Sequence, residues 1–236
     1  MDKNLNEFEK KIGIDFINKD LLTQVFVHRS YLNENVGFKL DHNERLEFLG
    51  DAVLELVVTE ELFKKLPNPE GELTNLRSAL VRGKMLSDIA STLGINDYLY
   101  LSKGEAKSGG KARQLILANT FEALTGAIYL DQGYDKAKEF IEKVLLNRLE
   151  EIIERKAYLD PKSHLQELSQ AQMNTTPSYK VLAEYGPDHD KSFSVGVYLG
   201  ERLAGEGSGS SKQAAESAAA SSALEHWTDI SNGETP

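Results

Sequence analysis

The sequence predicts two domains: an all-α domain over residues 1–156, then a small α+β domain of α-β-β-β-α order over 161–228, with a linker at 157–160 and a polar tail at 229–236. Three patterns carry this reading. Up to Ala157 the apolar residues recur at intervals of three and four, the period of one helix face. Beyond it the spacing changes to alternation, in Tyr179, Val181 and Ala183 and again in Phe193, Val195 and Val197, as in half-buried strands. The closing run SSKQAAESAAASSALEHW is rich in Ala and free of Pro and Gly, which suits a helix starting near Ser210 or Ser211.

Taken in order, Leu5, Phe8, Ile12, Ile14 and Phe16 predict a short amphipathic helix ending near Gly13, and Leu21, Leu22, Val25 and Phe26 predict a second over 20–28. HRSYLNENVGFKLDHN reads as a turn-rich connection. Within it His28 is expected to be packed and hydrogen-bonded, because no second His stands at metal-ligand spacing. DHNERLEFLGDAVLELVV, residues 41–58, predicts a long helix, with Asp41 as cap, Glu44 at the third helical position, and Pro67 and Pro69 as its stop. Residues 71–94 continue as helix, interrupted near Gly83 and closed by Gly94. LSKGEAKSGGKARQ reads as a loop in which Lys103, Lys107, Lys111 and Arg113 either meet phosphates or are simply solvated.

QLILANTFEALTGAIYLD is again strongly apolar and helical, ending at Asp131 and Gly133. Residues 135–157 predict a long charged amphipathic helix with Phe140, Ile141, Val144, Leu145, Leu149, Ile152 and Ile153 inward. In the second domain Pro161 suits the first turn of the helix PKSHLQELSQAQ, GPDHDK joins the first two strands, and Gly200 turns the second into a third from Arg202 to Gly207.

The helix at 41–58 holds the densest chemistry. At 100° per residue Glu44, Glu47, Asp51 and Glu55 share one stripe, while apolar residues cover most of the rest. A solvated acidic edge is the plainer reading. Against it, like charges three and four residues apart weaken a helix unless something cationic compensates, and Arg45 and Lys64 lie elsewhere on the wheel. Clustered oxygen donors suit Mg²⁺. Gly50, beside Asp51, costs about 1 kcal/mol in a helix interior and implies close backbone approach. The helix QLILANTFEALTGAIYLD repeats the pattern, with Asn119 and Glu122 on one face, so the two stripes can face each other and share a cation.

The chain has 236 residues, 40% of them hydrophobic and 27% charged, enough for two globular domains. It has no Cys, which excludes disulfides, thiolate metal sites and Cys nucleophiles. No apolar run approaches the roughly 20 residues of a membrane span, and MDKNLNEFEKK lacks a signal-peptide core, so the expectation is a cytoplasmic protein without membrane contact. The net charge of −10 argues against a generally adhesive nucleic-acid binder and makes any such contact local or cation-assisted.

Taken together, NERLEFLGDAVLELVV, EAKSGG, ILANTFEALTGAIYLD and the tail with GPDH and SKQAAESAAA resemble bacterial ribonuclease III from about residue 5 to 228. The resemblance implies an endonuclease domain followed by a double-stranded-RNA-binding domain, and a homodimer that cuts double-stranded RNA with Mg²⁺. Mn²⁺ is able to substitute, and no small-molecule cofactor is needed. The products are 5′-phosphate and 3′-hydroxyl ends with short 3′ overhangs, and ribosomal and other precursors are the substrates. By motif, the metal set falls on Glu47, Asp51, Asn119 and Glu122, with Asp51 and Glu122 catalytic and Glu44 and Glu70 as accessory acids. RNA contacts fall on Ser163, Gln166, Glu167, Gln170, His189, Ser211, Lys212 and Gln213, and the dimer contact on Phe48.

Two departures stand out: the family commonly has Asp where Asn119 stands, and often a second Lys where Gln213 stands. The acids of the tail also outnumber Lys162, Lys180, Lys191, Arg202 and Lys212, so its RNA affinity is expected to be weak, with a shallow salt dependence. Two other readings compete, a non-catalytic RNA-binding protein favoured by Asn119, and a helical metalloenzyme acting on small molecules, which leaves the tail unexplained.

Overall fold

A computed structural model describes residues 3–154, 156, 158–187 and 191–231, in two compact units that divide between Tyr158 and Leu159. The first unit is helical: α1 (Leu5–Ile12), α2 (Lys19–Val25), α3 (Arg29–Glu34), α4 (Glu44–Lys65), α5 (Glu70–Val81), α6 (Gly83–Thr92), α7 (Lys103–Ala106), α8 (Gly110–Val144) and α9 (Leu149–Glu154).

Its core forms where α4 and α8 cross. α4 buries Leu46, Gly50, Val53, Leu54, Val57, Val58 and Leu62, and α8 buries Ile116, Leu117, Phe121, Leu124 and Ile128 against them. The remaining helices wrap this pair, and side-chain carboxylates tie two of them down. The Glu9 carboxylate, 3% exposed, accepts from the Phe16 N–H and Lys19 Nζ, both at 2.6 Å, and so closes the turn between α1 and α2. Asp131 accepts from the N–H groups of Ile17 and Asn18 at 2.8 and 2.9 Å, anchoring the start of α2 on α8. The buried Glu9 carboxylate is thus matched by hydrogen bonds, as the desolvation cost demands.

Four expectations for this unit are corrected. Asp41 does not cap α4. Its carboxylate accepts from the His42 N–H at 2.9 Å, while Asn43 precedes the helix and donates to the Val25 carbonyl at 2.9 Å, so Glu44 is the first helical residue. The turn-rich connection contains α3, capped by His28, whose Nδ1 accepts from the Ser30 N–H. The Gly- and Lys-rich loop contains the single turn α7, capped by Ser102. The amphipathic stretch after Gly133 is not one helix: α8 runs to Val144 with a bend at Gly133, whose φ of 82° only Gly adopts freely, then a 3₁₀ turn at Leu146–Arg148 leads into α9.

The second unit is α10 (Pro161–Met173), β1 (Pro177–Tyr185), β2 (Ser192–Leu199), β3 (Arg202–Gly209), α11 (Lys212–Glu225) and α12 (Trp227–Ser231). The antiparallel sheet runs in the order β1-β2-β3, with Lys180 opposite Gly196 and Val197 opposite Gly205. Val195, Val197 and Leu199 bury one sheet face against Leu165 of α10 and Ala215, Ala219, Ala220 and Ala223 of α11. A Cβ on Gly205, Gly207 or Gly209 would lie 2.2–2.7 Å from α11 atoms, which explains why an Ala-rich helix follows a Gly-rich strand. The expected polar tail begins too early: Ile230 of α12 is fully buried, and its carbonyl accepts from Arg202 Nη1 at 3.0 Å.

Candidate active site and RNA-binding face

The crossing of α4 over α8 is closer than side chains allow. A Cβ on Gly50 would sit 1.7 Å from the Glu122 carbonyl oxygen, and one on Gly126 would sit 2.3 Å from that of Leu46. Two backbones therefore touch, and the side chains that flank the contact on the solvent side are brought together. These are Glu47 and Asp51 from α4 and Asn119 and Glu122 from α8.

Their electrostatics are those of an uncompensated acid cluster. Burial pushes the Glu122 carboxyl up to about 7, with the charges of Asp51 and Glu47 adding to the shift. Burial also raises Glu47, opposed by a hydrogen bond from Asn119 and reinforced by Glu44 and Asp51. Among the described residues no ion pair reaches Glu47, Asp51 or Glu122. Nor are any three His, Asp or Glu side chains there gathered at metal-ligand distance. Carboxylates this close repel one another, which is why the charges of Asp51 and Glu47 add to the upward shift of Glu122. The donor set of three carboxylates and one amide, held by two packed helices, fits a hard divalent cation.

The remaining candidates separate. Glu44 and Glu55 share the stripe but are neutralised from other elements, Glu44 by Arg29 at 3.3 Å and Glu55 by Arg77 at 2.9 Å. Neither cation was visible in the local sequence pattern, which considered only Arg45 and Lys64. Glu44 does line a small cavity of about 80 Å³ with Glu47, Asn119 and His28, so it borders the cluster. Burial lowers the His28 pKa, and its Nδ1 is hydrogen-bonded with Ser30 Oγ at 2.8 Å, as expected of a packed His. Glu70 stands apart. It begins α5, accepts from Thr74 Oγ1 at 3.2 Å, and lines a groove with Phe63 and Arg77. In the loop before α8, Arg113 donates to the carbonyls of Glu105, Ala106 and Ser108, so it braces the loop, while Lys103, Lys107 and Lys111 remain exposed.

Along α4, Phe48, Leu56 and Phe63 are 83%, 57% and 77% exposed. The helix is thus buried on one face and openly apolar on another, with Leu49 half-buried against the core between them.

In the second unit Ser163, Gln166, Glu167 and Gln170 line one groove along α10. Ser163 is partly committed, its N–H and hydroxyl both donating to Asp160. Ser211 caps α11 by accepting from the Ala214 N–H at 3.1 Å, with Lys212 and Gln213 exposed beside it. His189 lies outside the described residues.

Comparison with known proteins agrees with this division. Residues 18–149 match a family model described as ribonuclease-III-like, and residues 161–226 match the double-stranded RNA binding motif. The chain is 45% identical over 222 residues to Ribonuclease 3 of Latilactobacillus sakei, covering 94% of this chain and 96% of that one. It is 42% identical over 226 residues to Ribonuclease 3 of Desulforamulus reducens, covering 95% and 92%. A solved nuclease domain of ribonuclease III from Campylobacter jejuni is 41% identical with a TM-score of 0.54, covering 60% of this chain and 98% of that one. Among the described residues no helix is long and apolar enough to cross a membrane. The chain belongs to the ribonuclease III family, an endoribonuclease whose helical nuclease domain is followed by a double-stranded-RNA-binding domain.

Proposed function

We propose that the chain hydrolyses double-stranded RNA in the cytoplasm with Mg²⁺, or Mn²⁺ in its place. It leaves 5′-phosphate and 3′-hydroxyl ends with short 3′ overhangs, and ribosomal and other precursors are its substrates. Nucleases of the family are metal-dependent. The observation that carries the reading is the group formed by Glu47, Asp51, Asn119 and Glu122 at the Gly50–Gly126 contact, an acid cluster with no cation of its own among the described residues. These four would hold the ion, Asp51 and Glu122 acting nearest the reacting phosphate. Bound there, a divalent cation supplies acidification of water and neutralisation of phosphate charge. The protein's own part is to keep the donors on two interlocked helices and to orient Glu47 through the Asn119 amide. Glu44 serves as an accessory acid at the border of the cluster. Glu70 serves as a second one if another protomer brings it near.

A homodimer supports that last role. The apolar surface of Phe48, Leu56 and Phe63 on α4 needs a partner, and one Campylobacter jejuni structure is described as showing flexibility in a region involved in dimer formation. RNA is held by Ser163, Gln166, Glu167 and Gln170 on α10, by His189, and by Ser211, Lys212 and Gln213 at the start of α11, small polar groups suited to 2′-hydroxyls and a helix start suited to phosphate.

The test is cleavage of a long RNA duplex with Mg²⁺ and with chelator, followed by end-group analysis. Products with 5′-phosphate and paired 3′ overhangs are expected. Binding without cleavage at saturating Mg²⁺ would favour the non-catalytic reading that Asn119 invites.

A further inference from the structure

The second unit contains five Lys and Arg side chains, and each is engaged within the unit. Lys162 pairs with Glu216 at 2.5 Å and lies 4.9 Å from the Tyr179 ring centroid. Lys180 lies 4.7 Å from the Tyr198 centroid, and Arg202 donates to the Ile230 carbonyl. The remaining two converge on one acid. Glu184, near the end of β1, has Oε1 3.4 Å from Lys212 Nζ and Oε2 3.8 Å from Lys191 Nζ. Its register partner on β2 is Phe193, and Lys212 Nζ lies 5.6 Å from that ring centroid, so the ammonium is drawn back over the sheet end.

We infer that Glu184 is an affinity-limiting residue for RNA, a carboxylate that competes with RNA phosphate for Lys212 and Lys191. The inference rests on the reading that the start of α11 faces RNA phosphates. Lys212 is the first residue of α11, and the helix N-terminus from which it extends itself favours an anion. A phosphate that takes this lysine must displace the Glu184 carboxylate, which costs the pair's attraction and leaves two anions close together. Glu184, Lys191 and Lys212 are each about half exposed, so the pairs are weak enough to be broken and strong enough to be felt. The consequence is a unit that binds duplex RNA loosely and releases few counterions in doing so, which favours turnover and release of cleaved product over retention.

The experiment uses the full chain with a duplex of roughly 20 base pairs, in chelator so that binding is read apart from cleavage. Affinity is measured across a salt series for the wild type, Glu184→Gln, Lys212→Ala, the double variant, and Glu225→Gln, which makes the same change in net charge at the far end of α11. Melting temperature confirms that each variant is folded. Glu184→Gln is expected to bind roughly two- to ten-fold tighter at low salt and to steepen the slope of log K against log salt by about one. The gain should shrink in the Lys212→Ala background, and Glu225→Gln should show neither effect. Wild-type affinity and slope for Glu184→Gln, with Lys212→Ala weakened, would overturn the inference while leaving the RNA face of α11 intact. An equal gain from Glu225→Gln would overturn it as generic charge. No loss in Lys212→Ala would remove the phosphate contact itself, and the inference with it.

Discussion

Gly50 of α4 and Glu122 of α8 meet backbone to backbone, so closely that a Cβ on Gly50 would lie 1.7 Å from the Glu122 carbonyl oxygen. The contact has both a packing and an electrostatic result. It lets two apolar helices interlock, and it sets the Glu122 side chain beside Glu47 and Asp51, where its charge is costly.

Gly50→Ala should therefore push α4 away from α8. Overpacking of this kind costs about 1–3 kcal/mol, and a unit of this size loses about 2–4 °C in Tm per kcal/mol. Calorimetry should show the drop together with a large loss of cleavage. An alanine variant with unchanged Tm would mean that the helices are not in contact.

Glu122→Gln removes one of three mutually repelling carboxylates while keeping its volume. The metal-free protein should become more stable, with Tm up by about 2–4 °C, while Mg²⁺-dependent cleavage is lost and RNA binding persists. A fall in Tm alongside full activity would remove Glu122 from the site.

Asn119→Asp works in the opposite direction. A fourth charge joins Glu47, Asp51 and Glu122, and the hydrogen bond that Asn119 donates to Glu47 is replaced by repulsion. The metal-free Tm should fall, and the Mg²⁺ concentration for half-maximal rate should fall too, because the added charge favours the cation. An unchanged or raised Mg²⁺ requirement would mean that Asn119 is not a ligand.

Phe48→Glu tests the apolar face of α4. Two copies of the glutamate would meet across a two-fold axis, and burying like charges there should leave a monomer that no longer cuts both strands together. Light scattering decides the state. A wild type that is monomeric at micromolar concentration yet makes paired cuts would remove the dimer.

A pH effect is expected away from the site. Glu60 accepts from Lys64 at 2.6 Å, from Tyr134 at 2.5 Å and from Lys138 at 3.1 Å, and these hydrogen bonds hold its carboxyl down to about 2. Glu61, 6% exposed, is lowered chiefly by Lys138 at 2.7 Å. Both carboxyls are depressed in the folded state, so their stabilisation is complete above the unfolded value near 4.5 and is lost as pH falls from there toward about 2. Tm measured from pH 7 down to 2 should fall through that window, and Lys138→Met should lower Tm at pH 7 and flatten the acid limb.

What the sequence determined by itself were the patterns that repeat along one element. The acid stripe of α4, the Asn119–Glu122 pair of α8 and the alternation of β2 each follow from a local period, because side chains three or four apart on a helix, or two apart on a strand, share a face whatever surrounds them. Gly50 was legible as a close approach for the same reason, since only a neighbouring backbone explains a Gly in such a helix.

What only the tertiary structure decided is which groups from distant elements meet. Arg29 neutralises Glu44 and Arg77 neutralises Glu55, reducing a stripe of four acids to a working pair on α4, and no local spacing could have shown it. Gly126 is unremarkable in ALTGAIY until Leu46 lies against it. Asp41 lost the cap position because Asn43, next to the helix, found a buried carbonyl on α2 to donate to, and Ile230 left its polar surroundings to join the apolar core that Leu165, Val197 and the alanines of α11 form. Charge pairing and burial are long-range along the chain, and they override local preference whenever the desolvated group gains a partner it could not reach in its own segment.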